Sequence, residues 1–457
     1  MWKKLFEPVD MTKGDPVRQI VKFMIPMLIG NVFQQLYNTV DSIVVGKYIG
    51  DNALAAVGSA NPIVNLLLVL FIGISVGAGI MVSQYFGAKQ RNSLSKSIGC
   101  CITMTFAASV IVMILAPIIS MPLLRLLNTP DEIIEWCNSY LLILFLGVAG
   151  SAFYNILGGV LRGLGDSISA LIYLIIATFL NIVLDIYFVA GLRMGVAGVA
   201  LATVIAQAVS AVLSFIKLSR KKDCFDFKLS YLLPDRKYLR ELVRLGLPSG
   251  ITQAIFSLSI VVVQSLTNSF GPMCIATNVI VMRIDGFVMM PAFSFGSAMT
   301  TFAGQNIGAG RLDRVQEGAK KGTKVAMATS AVITVLILIF GRPLMSLFTN
   351  TDELIEQSYH MMMILGVGYI AMEVTQCLQG IMRGAGDTMA PMWISMITTV
   401  AIRVPLAYLM TGMTRSAEKP QGEFYMMFVS LLITFLIGSI MTFTVYKRGR
   451  WKNKALI

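Results

Sequence analysis

Two aspartates, Asp41 and Asp185, stand inside apolar stretches, and neither has a basic partner at membrane depth in the first half of the chain. An ionisable side chain in a bilayer costs about 2.5 kcal/mol or more, so each calls for a reason. Two carboxylates without a counter-ion either hold protons or recruit a cation, and either outcome makes an ion-coupling site. Asn31, Gln34, Asn38 and Asp41 follow one another at spacings of 3, 4 and 3, which sets all four on one helical face. Asn181 and Asp185 are four apart, as are Thr203 and Gln207, so each pair also shares a face. Polar stripes against lipid are prohibitive, and these faces are expected to converge on an internal cavity. For Gln34, Asn38 and Gln207 the alternative is helix–helix hydrogen bonding, to which amides are well suited.

The second half of the chain lacks such a pair. Gln253, Ser257 and Gln264 are polar but uncharged, and Arg283 and Asp285 are only two apart. Glu373 and Arg403 complete the charged residues within apolar stretches, and a salt bridge between them is the structural expectation. Gln253 and Glu373 join Gln34, Asn38 and Gln207 as candidates for lining a substrate cavity. The halves are therefore expected to work unequally, with ion handling in the first.

The elements that must position these groups are read from an internal repeat. At an offset of 221 residues, Arg162-Gly163-Leu164-Gly165-Asp166-Ser167 becomes Arg383-Gly384-Ala385-Gly386-Asp387-Thr388. Gln84, Gly87 and Ala88 fall on Gln305, Gly308 and Ala309, and Gly50 falls on Gly271, without a gap. Pro26 pairs with Pro248 after a slip of one residue. With 56% hydrophobic and 13% charged residues and a mean hydropathy of +0.74, the chain is no soluble globule. Six apolar stretches of spanning length occur per half, near 17–46, 53–84, 94–119, 133–160, 168–190 and 195–219, then 245–268, 274–304, 318–341, 353–381, 390–411 and 424–446. An even number makes the repeat parallel. The expected fold is an all-α integral membrane protein of twelve transmembrane helices in two pseudo-symmetric six-helix bundles, 1–219 and 245–457, joined by a cytoplasmic linker, 220–244.

Charge orients it. With the N-terminus inside, cytoplasmic segments hold 29 of the 37 Lys and Arg residues and external loops six, which predicts both termini in the cytoplasm. The +13 net charge is spread over loops beside helix ends, so it signals topology and anionic lipid rather than nucleic acid. No cleavable signal is expected, because residues 1–16 are short, mixed in charge and interrupted by Pro8. The six cysteines have no zinc-type spacing, and the one histidine, His360, cannot build a metal site or a proton relay of its own kind. Without Ser–His–Asp, HExxH or Walker-type patterns, an enzyme has no parts to work with, and no cofactor is expected.

Pro26 precedes Asp41 by about four helical turns and removes a backbone hydrogen bond. It is read either as a static kink or as a hinge that bends when Asp41 changes charge. The 29 methionines suit adaptable surfaces and point to varied, bulky, partly apolar substrates.

The repeat, the Arg-Gly-x-Gly-Asp turns, Gln305-Asn306-Ile307-Gly308-Ala309, Val40-Asp41-Ser42-Ile43-Val44-Val45-Gly46 and Asn181-Ile182-Val183-Leu184-Asp185 together resemble the multidrug and toxic compound extrusion (MATE) family of the MOP flippase superfamily. The resemblance covers nearly the whole chain. It implies a secondary active efflux antiporter exchanging H⁺ or Na⁺ for cationic or amphipathic compounds by alternating access. It carries the ion-coupling role to Asp41, Asn181, Asp185 and Thr203, with no metal unless Na⁺ binds there, and the bending role to Pro26. Span 7 lacks the acid that one branch of the family pairs with span 10, so that second coupling site does not carry over to Glu373. The implied setting is the cell membrane, as a monomer, with small organic substrates and membrane lipid as partners and no nucleic acid. The alternative is a lipid-linked precursor flippase of the same superfamily, although the acidic first half suits a cationic or neutral amphiphile better.

Overall fold

The computed structural model describes residues 9–127 and 129–457, and among these the regular structure is helical. Residues 1–8, on which the expectation about a signal partly rests, lie outside the described residues. The first half runs α1 (Pro16–Tyr48), α2 (Asp51–Gly87), α3 (Arg91–Leu126), α4 (Asp131–Leu146), α5 (Val148–Gly163), α6 (Ser167–Asp185) and α7 (Val196–Ser219). The second runs α8 (Arg236–Asn268), α9 (Pro272–Val288), α10 (Met290–Gly308), α11 (Leu312–Met345), α12 (Asp352–Gly384), α13 (Met389–Met396), α14 (Val404–Met413) and α15 (Tyr425–Lys447).

Among the described residues, ten helical stretches are long and apolar enough to cross a bilayer, with α9–α10 and α13–α14 each counting as one. The pair α4–α5, bent by 52° at Gly147, makes an eleventh. The twelfth is α1, whose 33 residues are ample in length. Its apolar character is diluted by the stripe from Asn31 to Asp41, which is the polar face the sequence marks for function. Twelve spans in two six-helix bundles result, as the repeat predicts.

The turns that carry the repeat have physical work to do. In the first, Asp166 caps α6 by accepting from the Ser169 amide at 3.0 Å, and in the second Asp387 accepts from the Ala390 amide at 3.2 Å. The glycine before each aspartate has positive φ, +86° at Gly165 and +95° at Gly386. A side chain at Gly165 would also meet the Val9 carbonyl oxygen at 2.3 Å. Glycine also sets helix spacing. On α2, a Cβ at Gly73 would lie 2.7 Å from the backbone of Gly246 and Gly250 on α8, so these helices touch backbone to backbone.

The repeated glutamines seat the segments that flank the bundles, before α1 and after α15. Gln305 Oε1 accepts from the Met11 amide at 2.9 Å, and its counterpart Gln84 Oε1 accepts from the Leu456 amide at 2.9 Å. Asn306 and Arg314 add bonds to the Met11 carbonyl, so the segment before α1 is fastened from several sides.

The chain separates into two compact units. The first holds 9–10, Ile25–Gly250 and Leu456–Ile457, and the second holds Met11–Met24 and Ile251–Ala455. Both divisions fall inside long helices, next to Pro26 in α1 and Pro248 in α8. Residues 220–244 form the connection the sequence marks, but α8 begins at Arg236, within it. Arg91 grips the non-helical part through Asp226, at 2.8 and 3.2 Å, and through the Lys222 and Asp223 carbonyls, at 2.6 and 3.1 Å.

Candidate functional site

In the first unit, α1, α6 and α7 bring Asp41, Asn181, Asp185 and Thr203 together. Asp185 and Asn181 are shut off from solvent, Thr203 is buried and Asp41 is half-buried. The two carboxyls face each other within hydrogen-bond reach, which requires a proton or a cation between them. With its amide nitrogen turned toward them, Asn181 donates to Asp41 Oδ1 at 2.8 Å and to Asp185 Oδ2 at 3.3 Å. Oδ1 of Asp185 is buried without a hydrogen-bond partner. Buried acceptors are rarely left unmet, so this oxygen is open to a further hydrogen-bond donor or a cation.

Helix geometry delivers these groups. Asn181 and Asp185 sit one turn apart at the end of α6, and a π-helical segment, Ile186–Gly191, follows at once. Such widened turns re-aim side chains and recur at functional sites.

Two residues that the sequence does not single out complete the cluster. The Tyr37 hydroxyl donates to Thr203 Oγ1 at 3.1 Å and fastens α1 to α7. Tyr37 lies one turn before Asp41, so the i, i+4 relation was available in the sequence as a signal. Tyr140, on α4, is buried and faces both carboxyls. Its position depends on tertiary packing, and no spacing rule reveals it.

The cavity candidates of the first unit are more scattered. Gln207 accepts from Ser151 of α5, a helix–helix contact. Gln34 is half-buried and Asn38 is exposed, both on the Asp41 side of α1.

The second unit holds a chamber of about 270 Å³ among α8, α9, α10, α12, α14 and α15. Its wall is apolar and aromatic, with Gln264, Asn278, Asp285 and Arg403 as polar points. Arg403 ends a second π segment, Ile397–Arg403. The charged residue that faces Arg403 is Asp285, beside the Tyr369 phenol. The expected Glu373–Arg403 bridge is therefore not formed. Glu373 is buried, and its Oε2 meets no partner. Arg283 and Gln253 are exposed, and neither Gln253 nor Glu373 lines the chamber.

The MatE family model matches the chain twice, over residues 26–187 and 248–409. The chain belongs to the MatE family. The probable multidrug resistance protein YoeA of Bacillus subtilis is 30% identical over 96% of this chain and 95% of its own length. The probable multidrug resistance protein YpnP of the same organism is 28% identical over 98% of each chain. Among solved structures, a MATE in complex with MaL6 superposes with a TM-score of 0.89 at 24% identity, covering 96% of this chain and 97% of that one. A MOP superfamily transporter from Pyrococcus furiosus gives 0.88 over the same shares, at 24% identity. The family resemblance read from the motifs thus holds, and with it the two-bundle membrane fold.

The two MatE matches are offset by 222 residues, from 26 to 248 and from 187 to 409. With the one-residue slip that pairs Pro26 with Pro248, Gln34, Asn38 and Asp41 on α1 correspond to Phe256, Ile260 and Val263 on α8. These three counterparts line the chamber of the second unit. Where α1 carries two amides and an acid, α8 presents three apolar side chains.

Proposed function

We propose that this protein is a multidrug efflux antiporter that takes H⁺ or Na⁺ at Asp41, Asn181, Asp185 and Thr203 in exchange for cationic or amphipathic organic compounds. The observation that carries the reading is the buried contact of Asp41 with Asp185, bridged by Asn181 and left with one unmet oxygen. Such a cluster is stable only with positive charge between its carboxyls, so ion entry and exit change its electrostatics by whole charges. The multidrug resistance names of the relatives support the substrate class. Alternating access would be a rocking of the two halves, with α1 bending at Pro26. The basic bias supports cytoplasmic termini in the cell membrane. The function needs no cofactor, and the protein acts as a transporter rather than an enzyme.

Efflux of a fluorescent organic cation from loaded proteoliposomes, with pH and Na⁺ gradients imposed separately, tests this. One gradient is expected to drive efflux, and the same experiment identifies the ion. Efflux indifferent to both would favour the flippase alternative, in which neither ion is exchanged.

A further inference from the structure

We infer that the chamber of the second unit is a binding site for zwitterionic amphiphiles, with Asp285 holding the ammonium and Arg403 the carboxylate. The inference deepens the export reading by naming a ligand class and its contacts, but its test does not require transport.

The charges come first. Asp285 and Arg403 both line the chamber, and among the described residues no ion pair joins them. Oδ1 of Asp285 is buried without a hydrogen-bond partner. The neighbouring Tyr369 hydroxyl lies within hydrogen-bond reach of the Asp285 carboxyl as well as of Met362 Sδ, at 3.4 Å, so it answers at most one carboxylate oxygen and leaves Oδ1 unmet. Opposite charges held apart in an apolar wall are costly unless something completes both. A simple cation would satisfy Asp285 and be repelled by Arg403. A simple anion would do the reverse. A molecule carrying both charges answers each.

The walls fix the rest of the ligand. Phe256, Phe293, Phe428 and Phe435 offer ring faces, and Met282, Met289, Met372 and Met427 offer adaptable thioethers. Met282 and Phe293 are 42% and 43% exposed, so the chamber opens on one side. A volume of about 270 Å³ accommodates a one- or two-ring tail on an amino-acid-like head. The repeat supplies an independent argument. On α1 the matching face carries Gln34, Asn38 and Asp41, whereas here Phe256, Ile260 and Val263 stand in their places. Loss of the Asp41 carboxylate removes half of an acid pair and leaves an apolar wall for an organic molecule.

The test is isothermal titration of the full chain in lipid nanodiscs with three ligands sharing one ring system. These are 2-naphthyl-L-alanine (zwitterion), its methyl ester (cation) and its N-acetyl form (anion). The zwitterion is expected to bind about tenfold more tightly than either, the scale of one charge-assisted hydrogen bond. Asp285→Asn should lower zwitterion affinity to that of the N-acetyl form, and Arg403→Gln to that of the ester. Equal binding of all three to the unmodified chain would overturn the inference, and that comparison involves no variant whose folding is in question. Zwitterion binding unchanged in both variants would overturn it too. Charge-selective binding without gradient-driven efflux would leave this inference standing and remove the antiport reading.

Discussion

Tyr37 donates a hydrogen bond to Thr203 at 3.1 Å, one helical turn before Asp41 on the same helix. The bond ties α1 to α7 beside the carboxyl pair, so any displacement of α1 that moves Asp41 must first loosen this contact. Tyr37→Phe should keep transport but change its ion dependence. The lost bond is worth about 1 kcal/mol, roughly a fivefold shift in the driving-ion concentration at half-maximal efflux. An unchanged half-saturation would assign Tyr37 to packing alone.

Asp41→Asn and Asp185→Asn should each abolish gradient-driven efflux while the protein still inserts. An amide cannot alternate between charged and neutral states, so the gradient has no group to act on. Substrate binding without efflux is the expected phenotype, read by binding and flux in the same proteoliposomes. Near-normal active efflux from either variant would remove the coupling role.

Glu373 and Arg403 should behave as independent sites. Glu373 is buried with no ion-pair partner among the described residues, and Arg403 faces Asp285, so a double-mutant cycle of Glu373→Gln with Arg403→Gln is expected to be additive within about 0.5 kcal/mol in thermal stability. The corresponding cycle of Asp285→Asn with Arg403→Gln should show coupling. The reverse pattern would restore a Glu373–Arg403 bridge.

Arg91 should govern protease access to the connection between the halves. Its side chain spans Asp226 and two backbone carbonyls, and its guanidinium holds the Asp226 carboxyl below the usual carboxylate range. A depressed carboxyl contributes stability above its ordinary range, and the contribution fades as pH falls through the lowered value. The clamp is therefore intact at pH 8, where Arg91→Ala should speed tryptic cleavage at Arg220-Lys221-Lys222 severalfold. Because the pair is exposed, high salt should narrow the difference. Equal digestion rates would show that the clamp does not order the connection.

Much of the molecule was legible from residue types and spacing. The offset of the repeat predicted two bundles, and the spacings around Asp41, Asn181 and Asp185 predicted one converging cluster, because helical periodicity fixes which side chains share a face. Other features depend on how the helices pack. Tyr140 reaches the carboxyls from α4, a helix that carries none of the cluster's other residues, and no local pattern encodes that. The partner of Arg403 was misread for a related reason. Opposite charge alone suggested Glu373, but the π segment ending at Arg403 aims the guanidinium at Asp285 on α9. Measured by apolarity, α1 is the weakest span because its working face carries the polar residues the site needs.

The seating of Met11 on Gln305 and of Leu456 on Gln84 bears on how the protein is made. The acceptor for Met11 is synthesised almost three hundred residues after it, and the Leu456 amide arrives 372 residues after Gln84. Neither of these two bonds can form during early translation, so final closure of both bundles is a late event in biosynthesis. Halves severed in the connection would each carry the segment that the other's glutamine holds. Produced separately they should be incomplete, and produced together they should complement one another in trans.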